Sequence, residues 1–226
     1  HDHERAGWMT FAQMIQKSSN IGAAKVGMAL GEWRVYDYLK DFGFGDKTGI
    51  DLPGETAGLL RGPRQWGKRS LASISMGQEI GVTPLQMVTA VSAIANGGVL
   101  MKPYVVSEIR NAKGQLVAQT MPQAKRRVVS ADTARTLTTL LEGVVTGGTG
   151  GKAAIPGFRV AGKTGTAQKV DPRTGKYSST LLVGSFLGYV PAEDPRLAMI
   201  VVIDEPRGEG WGGVVAAPVF RRVGEQ

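Results

Sequence analysis

Two short polar motifs contain the side chains best suited to chemistry. Ser18-Ser19-Asn20 is a run of two hydroxyls and an amide, and Lys163-Thr164-Gly165-Thr166 combines an amine with two hydroxyls. A hydroxyl both donates and accepts hydrogen bonds, and a lysine supplies a positive charge. Each motif alone also has an ordinary structural explanation, because serine-rich triplets cap helices and Lys-Thr-Gly marks strand ends. Their interpretation therefore depends on the surrounding elements.

The first motif is predicted to lie between two helices. Thr10 followed by Gln13 has the form of a capping box, so a helix begins there and runs into Ser18. Apolar residues return at helical spacing from Ile21 onward. Three further helices are predicted at 33–42, from Thr83-Pro84 to Gly97, and from Ser130 to about 146.

The second motif is predicted to lie on a strand. The last third of the chain is strand-like over 158–168, 181–190 and 197–203. Residues 191–196 are too few for a parallel crossover, so the last two strands should be antiparallel neighbours. The other predictions are a loop over 43–81, a hairpin of 105–109 with 116–118, and a terminal helix within 213–223.

Composition limits the kinds of site that are possible. The chain has 226 residues, 32 of them glycine, no cysteine and a net charge of +8. Without cysteine there are no disulfides, thiol nucleophiles or zinc-thiolate sites. The basic run Lys125-Arg126-Arg127 lacks interleaved aromatic residues, so we interpret it as a solvated loop and expect no nucleic-acid partner. His1-Asp2-His3-Glu4 has metal-ligand residue types, but a charged chain end is the better explanation, and we expect no metal site.

Lys163 also belongs to a pattern typical of phosphate-binding loops. The segment from Gly157 to Thr164 fits Gly-x4-Gly-Lys-Thr, and Asp204-Glu205 follows an apolar stretch as a magnesium-binding strand would. Such a loop must curl around phosphate and lead into a helix. Here the intervening residues alternate like a strand, and Gly165 and then Asp171-Pro172 follow the lysine. The residues within and after the pattern therefore disfavour a nucleotide hydrolase.

The order and context of both motifs resemble the transpeptidase domain of a class B, monofunctional penicillin-binding protein of the cell-division or sporulation type. The resemblance covers essentially the whole chain. It rests on these segments: Gly7 to Thr10, Ser18 to Asn20, Ser75 to Glu79, Val82 to Gln86, Ala95 to Gly98, Gly162 to Gln168, and Ala216 to Phe220.

The resemblance implies a mixed α/β fold, β-lactamase/transpeptidase-like, with an antiparallel sheet flanked by helices. It implies acyl transfer from D-Ala-D-Ala stem peptides, without a cofactor, and covalent inhibition by β-lactam antibiotics. By resemblance Ser18 relays a proton, Asn20 orients the catalytic lysine and the substrate amide, and Lys163 is a fixed positive charge beside Ser18. Thr164 and Thr166 would bind the substrate carboxylate, while Gly165 leaves room for an extended substrate.

The family's nucleophile motif, Ser-x-x-Lys, does not occur in the sequence. We therefore expect residues 1–226 to be the C-terminal part of a single transpeptidase domain and to be inactive alone. By resemblance the nucleophile helix, early strands, pedestal domain and membrane anchor precede it, and the site faces the periplasm or cell exterior. The expected partners are stem peptides, β-lactams and cell-division or elongation membrane proteins.

Two alternatives share this fold. One is a D,D-carboxypeptidase or a β-lactamase-like serine acyl hydrolase, and the other is a non-catalytic divisome scaffold. Gly77-Gln78 and Asn96-Gly97-Gly98 favour the transpeptidase. A Ser-x-x-Lys in the upstream coding sequence would favour an enzyme over a scaffold.

Overall fold

A computed structural model describes Asp2 and residues 7–226 of the chain. Its helices are α1 (Phe11–Lys17), α2 (Asn20–Leu30), α3 (Glu32–Asp41), α4 (Ser70–Ser75), α5 (Pro84–Ala95), α6 (Ala131–Gly147), α7 (Gly212–Val215) and α8 (Ala217–Gly224). Its strands are β1 (Val99–Met101), β2 (Glu108–Arg110), β3 (Leu116–Gln119), β4 (Ala124–Arg127), β5 (Ala161–Val170), β6 (Tyr177–Val190) and β7 (Leu197–Asp204).

The predicted helix starts are confirmed by their caps. Thr10 and Gln13 form a reciprocal capping box at α1, and Thr83 and Gln86 form another at α5, where Pro84 takes the first helical position. The Ser130 side chain accepts a hydrogen bond from the N–H of Thr133 at the start of α6. These bonds join residues three apart, so the chain needs no tertiary contact to make them.

An antiparallel sheet in the order β5-β6-β7 carries the second motif, which confirms the predicted mixed α/β class and strand direction. Lys163 pairs with Leu187, and Thr164 pairs with Phe186. Successive side chains of a strand point to opposite faces. Because Leu187 packs towards α5 and α6 and Phe186 packs towards α8, Lys163 and Thr164 belong to different faces of the sheet.

A hydrophobic core lies on each face of this sheet. On one face the fully buried Tyr189 packs with Val91 of α5, and its hydroxyl lies 2.7 Å from Thr138 Oγ1 of α6. On the other face Phe186 and Phe220 of α8 meet edge to face, with ring centroids 4.8 Å apart. Helices packed on both faces therefore hold β5 and its motif in place.

For the middle of the chain, one expectation was wrong and another was confirmed only in part. The basic run expected in a solvated loop forms β4, which pairs with β1, and Lys125 Nζ donates to the carbonyl of Thr48. The stretch 43–81 is mostly irregular, but it contains α4 and a short 3-10 turn at Pro63–Gln65. The 105–119 hairpin is confirmed as β2 and β3, and the predicted terminal helix is divided into α7 and α8.

Over Asp2 and residues 7–226, none of the helices has the length and apolar character needed to cross a membrane.

Candidate active site

The two polar motifs meet in the folded chain. Lys163 Nζ lies 2.7 Å from Ser18 Oγ, although the two residues are 145 positions apart. The amine also donates to the carbonyl of Thr164 at 3.1 Å and lies 3.4 Å from Thr164 Oγ1. It therefore sits beside strand β5, in contact with both the polar turn and the strand that carries it.

Ser18 projects from a tight turn between α1 and α2. Its backbone is left-handed, with φ 55°, and its N–H donates to the carbonyl of Ile15 at 3.2 Å. Ser19 is extended, and its Oγ accepts from the N–H of Gly22 at 2.9 Å, which caps α2. A non-glycine residue in the left-handed region is uncommon and often marks a functional site. The turn presents the Ser18 hydroxyl rather than using it as a cap.

A carboxylate near the start of the chain supports this turn. Asp2 accepts from Ser19 Oγ at 2.6 Å and from the N–H of Ile21 at 3.0 Å, and it also binds the N–H of Asn20. Burial alone would raise the pKa of Asp2, but these hydrogen bonds outweigh it and lower the pKa below 3.8. The negative charge also suits the N-terminus of α2.

Lys163 has an environment that disfavours its charge. Burial lowers its pKa from 10.5 to about 8. The expected fixed positive charge is therefore a labile one, still mostly protonated at neutral pH. An amine with a pKa near 8 can donate or accept a proton close to physiological pH, and the hydroxyl of Ser18 is in direct contact with it.

The rest of the second motif lies along β5. Thr166 Oγ1 accepts from the N–H of Gly212 at 3.1 Å, so its own proton remains available to donate. A Cβ on Gly165 would lie 2.5 Å from Ser185 Oγ on β6. A side chain at this position would therefore force the Ser185 hydroxyl to move, a packing effect that is additional to the room that the sequence suggested for an extended ligand.

The structure excludes a phosphate-binding loop at Lys163. Lys163 is in the interior of β5, where a phosphate loop would begin a helix, and β5 pairs antiparallel with β6. Asp204 and Glu205 bind Lys169 Nζ, at 3.1 Å and 2.6 Å respectively. These acidic groups are therefore engaged in ion pairs with a lysine of strand β5.

Sequence reasoning missed two residues that contact the motifs. Asp2 was assigned to a charged chain end, and Thr149 was not singled out, although its Oγ1 lies 2.6 Å from Thr164 Oγ1. No local pattern signals either contact. The other members of the possible metal cluster at the chain start, residues 1, 3 and 4, lie outside the described residues. Among Asp2 and 7–226, no group of three or more His, Asp or Glu is placed to hold a metal.

Comparison with known proteins places this geometry in a family. The family model "Penicillin binding protein transpeptidase domain" matches residues 1–225. Stage V sporulation protein D of Bacillus subtilis is 44% identical over 219 residues, covering 96% of this chain and 34% of that protein. Peptidoglycan D,D-transpeptidase FtsI of Escherichia coli is 35% identical over 221 residues, covering 97% of this chain and 35% of that protein.

Solved structures give the same result. The penicillin-binding protein 3 of Mycobacterium tuberculosis in complex with aztreonam superposes with a TM-score of 0.91 at 37% identity, covering 99% of this chain and 52% of that one. The apo transpeptidase domain of Burkholderia pseudomallei penicillin-binding protein 3 has a TM-score of 0.86 at 36% identity, with 99% and 65% covered. The chain spans about a third of the length of the curated relatives cited above. It belongs to the penicillin-binding protein transpeptidase family, in the class B group of cell-division and sporulation proteins.

Proposed function

We propose that this chain is the C-terminal part of a peptidoglycan D,D-transpeptidase domain and supplies two of its three catalytic motifs. The observation that carries the proposal is the 2.7 Å contact between Lys163 Nζ and Ser18 Oγ. Acyl transfer needs a proton path to and from a serine nucleophile and a site for the substrate's carboxylate. Family membership and this contact together favour that reaction.

Ser18 and Lys163 are proposed to move the proton. The hydroxyl of Ser18 donates to the leaving nitrogen while it accepts a proton from the amine of Lys163. Because burial brings the pKa of Lys163 to about 8, the amine gives up this proton more readily than an exposed lysine would. Asn20, at the start of α2 beside Ser18, is proposed to orient the catalytic lysine and the substrate amide.

Strand β5 is proposed to bind the stem peptide. In the described part of the chain β5 is an edge of its sheet, so an extended peptide can lie along it. Thr166, whose hydroxyl proton is available, and Thr164 would donate to the terminal carboxylate of the peptide or to that of a β-lactam. The N–H of Thr166 would serve as one donor of the oxyanion hole.

The nucleophile is proposed to come from a Ser-x-x-Lys segment upstream of residue 1. The exposed Leu197 and Val202 on β7, the other edge of the described sheet, support further strands of the same domain on that side. By analogy with its relatives, a pedestal domain and a membrane anchor would precede them. The site would then face the extracytoplasmic side of the cytoplasmic membrane, where stem peptides and division or elongation proteins are its partners.

Labelling with a fluorescent penicillin tests this proposal. We expect no covalent band on denaturing gels of residues 1–226, and a band for the longer natural polypeptide that includes the Ser-x-x-Lys segment. In the longer polypeptide Lys163→Ala should reduce the labelling rate at least about a hundredfold, as expected for loss of a proton-transfer group. Lys169→Ala is the matched control. It removes a lysine from the same strand, and that lysine forms ion pairs with Asp204 and Glu205 instead of contacting Ser18.

Each outcome separates the candidate functions. Labelling of residues 1–226 alone would overturn the need for an external nucleophile. Absence of labelling in the longer polypeptide would favour the scaffold. If the label is bound and then released within minutes, a β-lactamase-like hydrolase is favoured. Release of D-alanine from a pentapeptide without cross-linked product would indicate a carboxypeptidase.

A further inference from the structure

The loop after α6 connects the two motifs by a second route. Thr149 N–H donates to the carbonyl of Gln16 at 3.2 Å, two residues before Ser18. The side chain of Thr149 contacts the other motif, because its Oγ1 lies 2.6 Å from Thr164 Oγ1. One residue therefore touches both the helix that ends at the polar turn and the strand that carries Lys163.

The loop is closely packed on both sides. A Cβ on Gly148 would lie 2.4 Å from the carbonyl oxygen of Gln16. A Cβ on Gly213, in α7, would lie 2.4 Å from the carbonyl oxygen of Thr149 and 3.3 Å from Thr164 Cγ2. These close approaches hold the backbone of Thr149 in place, while its side chain stays at the surface.

A charged Lys163 limits the hydrogen bonds that the hydroxyl of Thr164 can make. An ammonium group only donates, so at 3.4 Å Lys163 presents a proton to Thr164 Oγ1. If Thr149 also donates to this oxygen, both lone pairs of Thr164 are occupied. The proton of Thr164 is then directed away from them and remains free for an acceptor on a ligand.

We propose that Thr149 is a positioning residue that orients the hydroxyl of Thr164 as a donor to the carboxylate of the bound substrate or β-lactam. The inference rests on the proposed function and adds to it a determinant of anion recognition outside the motifs. Thr149 acts through Thr164 and need not touch the ligand. Its effect should therefore depend on the ligand's negative charge and on the presence of the Thr164 hydroxyl.

The test uses the longer polypeptide that carries the Ser-x-x-Lys segment and measures its second-order rate constant of acylation. Thr149→Val is nearly isosteric but lacks the hydroxyl, and it should lower this constant for benzylpenicillin about tenfold, the effect of one hydrogen bond to a charged group. For the benzylpenicillin methyl ester, which lacks the carboxylate, the variant should stay within about twofold of the unmodified protein. Thr149→Ser keeps the hydroxyl and should restore the rate with benzylpenicillin.

Two further variants complete the design. Thr146→Val removes an exposed hydroxyl that donates to the backbone carbonyl of Glu142 within α6, and it should behave like the unmodified protein. The double variant Thr149→Val with Thr164→Val should be acylated no more slowly than Thr164→Val alone, because the two hydroxyls act as one unit. Thermal unfolding of each variant identifies any that fail to fold.

Several results would overturn the inference. One is that Thr149→Val lowers the acylation rate constant equally for benzylpenicillin and its methyl ester. A second is that Thr149→Ser lowers this constant as much as Thr149→Val does. A third is that the effects of Thr149→Val and Thr164→Val on the rate constant are fully additive in the double variant. Unchanged acylation by Thr149→Val would do the same. If the unmodified longer polypeptide is not acylated at all, the proposed function fails instead, so the two failures are distinguishable.

Discussion

Replacing Lys163 by methionine should make the chain more stable at neutral pH, because it removes a charge that folding desolvates. Burial lowers the pKa of this amine from 10.5 to about 8. One pKa unit corresponds to about 1.4 kcal/mol, so the cost of holding the charged amine in the folded chain is at most about 3.5 kcal/mol. Methionine keeps an unbranched apolar side chain of similar length.

The pH dependence has a definite sign. Below about pH 8 the amine is charged in both states, and the folded state bears the full cost. Between about pH 8 and 10.5 the unfolded chain binds the proton more strongly, so the unfolding free energy of the unmodified chain rises with pH. The stability advantage of Lys163→Met should therefore be largest near pH 7 and shrink steadily towards pH 10.

Urea unfolding of both chains from pH 6 to 10 measures this difference, and the other titrating groups contribute equally to both. Lys169→Met is the control. The hydrogen bonds of Lys169 with Glu205 and Asp204 raise its pKa, so replacing it should not stabilise the chain. A difference between Lys163→Met and the unmodified chain that stays constant over this pH range would refute the desolvation argument, as would a loss of stability at pH 7.

Two further predictions concern packing and the polar turn. Gly162→Ala should destabilise the chain by about 1–3 kcal/mol, because the added Cβ would lie 2.5 Å from the ring of Phe186. Gly147→Ala is the control and should be neutral or slightly stabilising, because there is open space around Gly147. The urea unfolding midpoints of the two variants compare these effects, and equal midpoints would count against the packing argument. Asp2→Asn should lower the melting temperature at pH 7 and have little effect near pH 2. The pKa of Asp2 is lower in the folded chain, so the stabilisation by its carboxylate is fully present above pH 3.8 and is lost as the pH falls through the folded-state pKa. A difference in melting temperature that does not depend on pH would contradict this.

Local signals accounted for much of the fold. The capping boxes at Thr10 and Thr83 and the cap at Ser130 marked helix starts correctly, since each bond spans three residues. Short apolar segments were harder. Helix α4 lies in a stretch rich in glycine, proline and arginine, and the pairing of β1 with β4 joins Val99 to Arg127 across 28 positions. Neither leaves a repeating pattern in the sequence.

The candidate site also combines features that the sequence reveals with features that depend on the tertiary structure. Its residue types were readable, and the resemblance placed Ser18 and Lys163 together before their contact was seen. The lowered pKa of Lys163 was not readable, because it results from burial by segments distant in sequence. The contacts of Asp2 and Thr149 were missed for the same reason, since each is an ordinary polar residue until folding brings a partner to it.

The sequence by itself therefore determined the capped starts of α1, α5 and α6, the antiparallel strands of the last third and the two motifs, because these depend on hydrogen bonds and side-chain periodicity within a few residues. Only the tertiary structure decided how far the amine of Lys163 is desolvated and which groups support Ser18 and Thr164. Both depend on packing between helices and strands far apart in the chain, where distance and burial set the strength of every electrostatic contact.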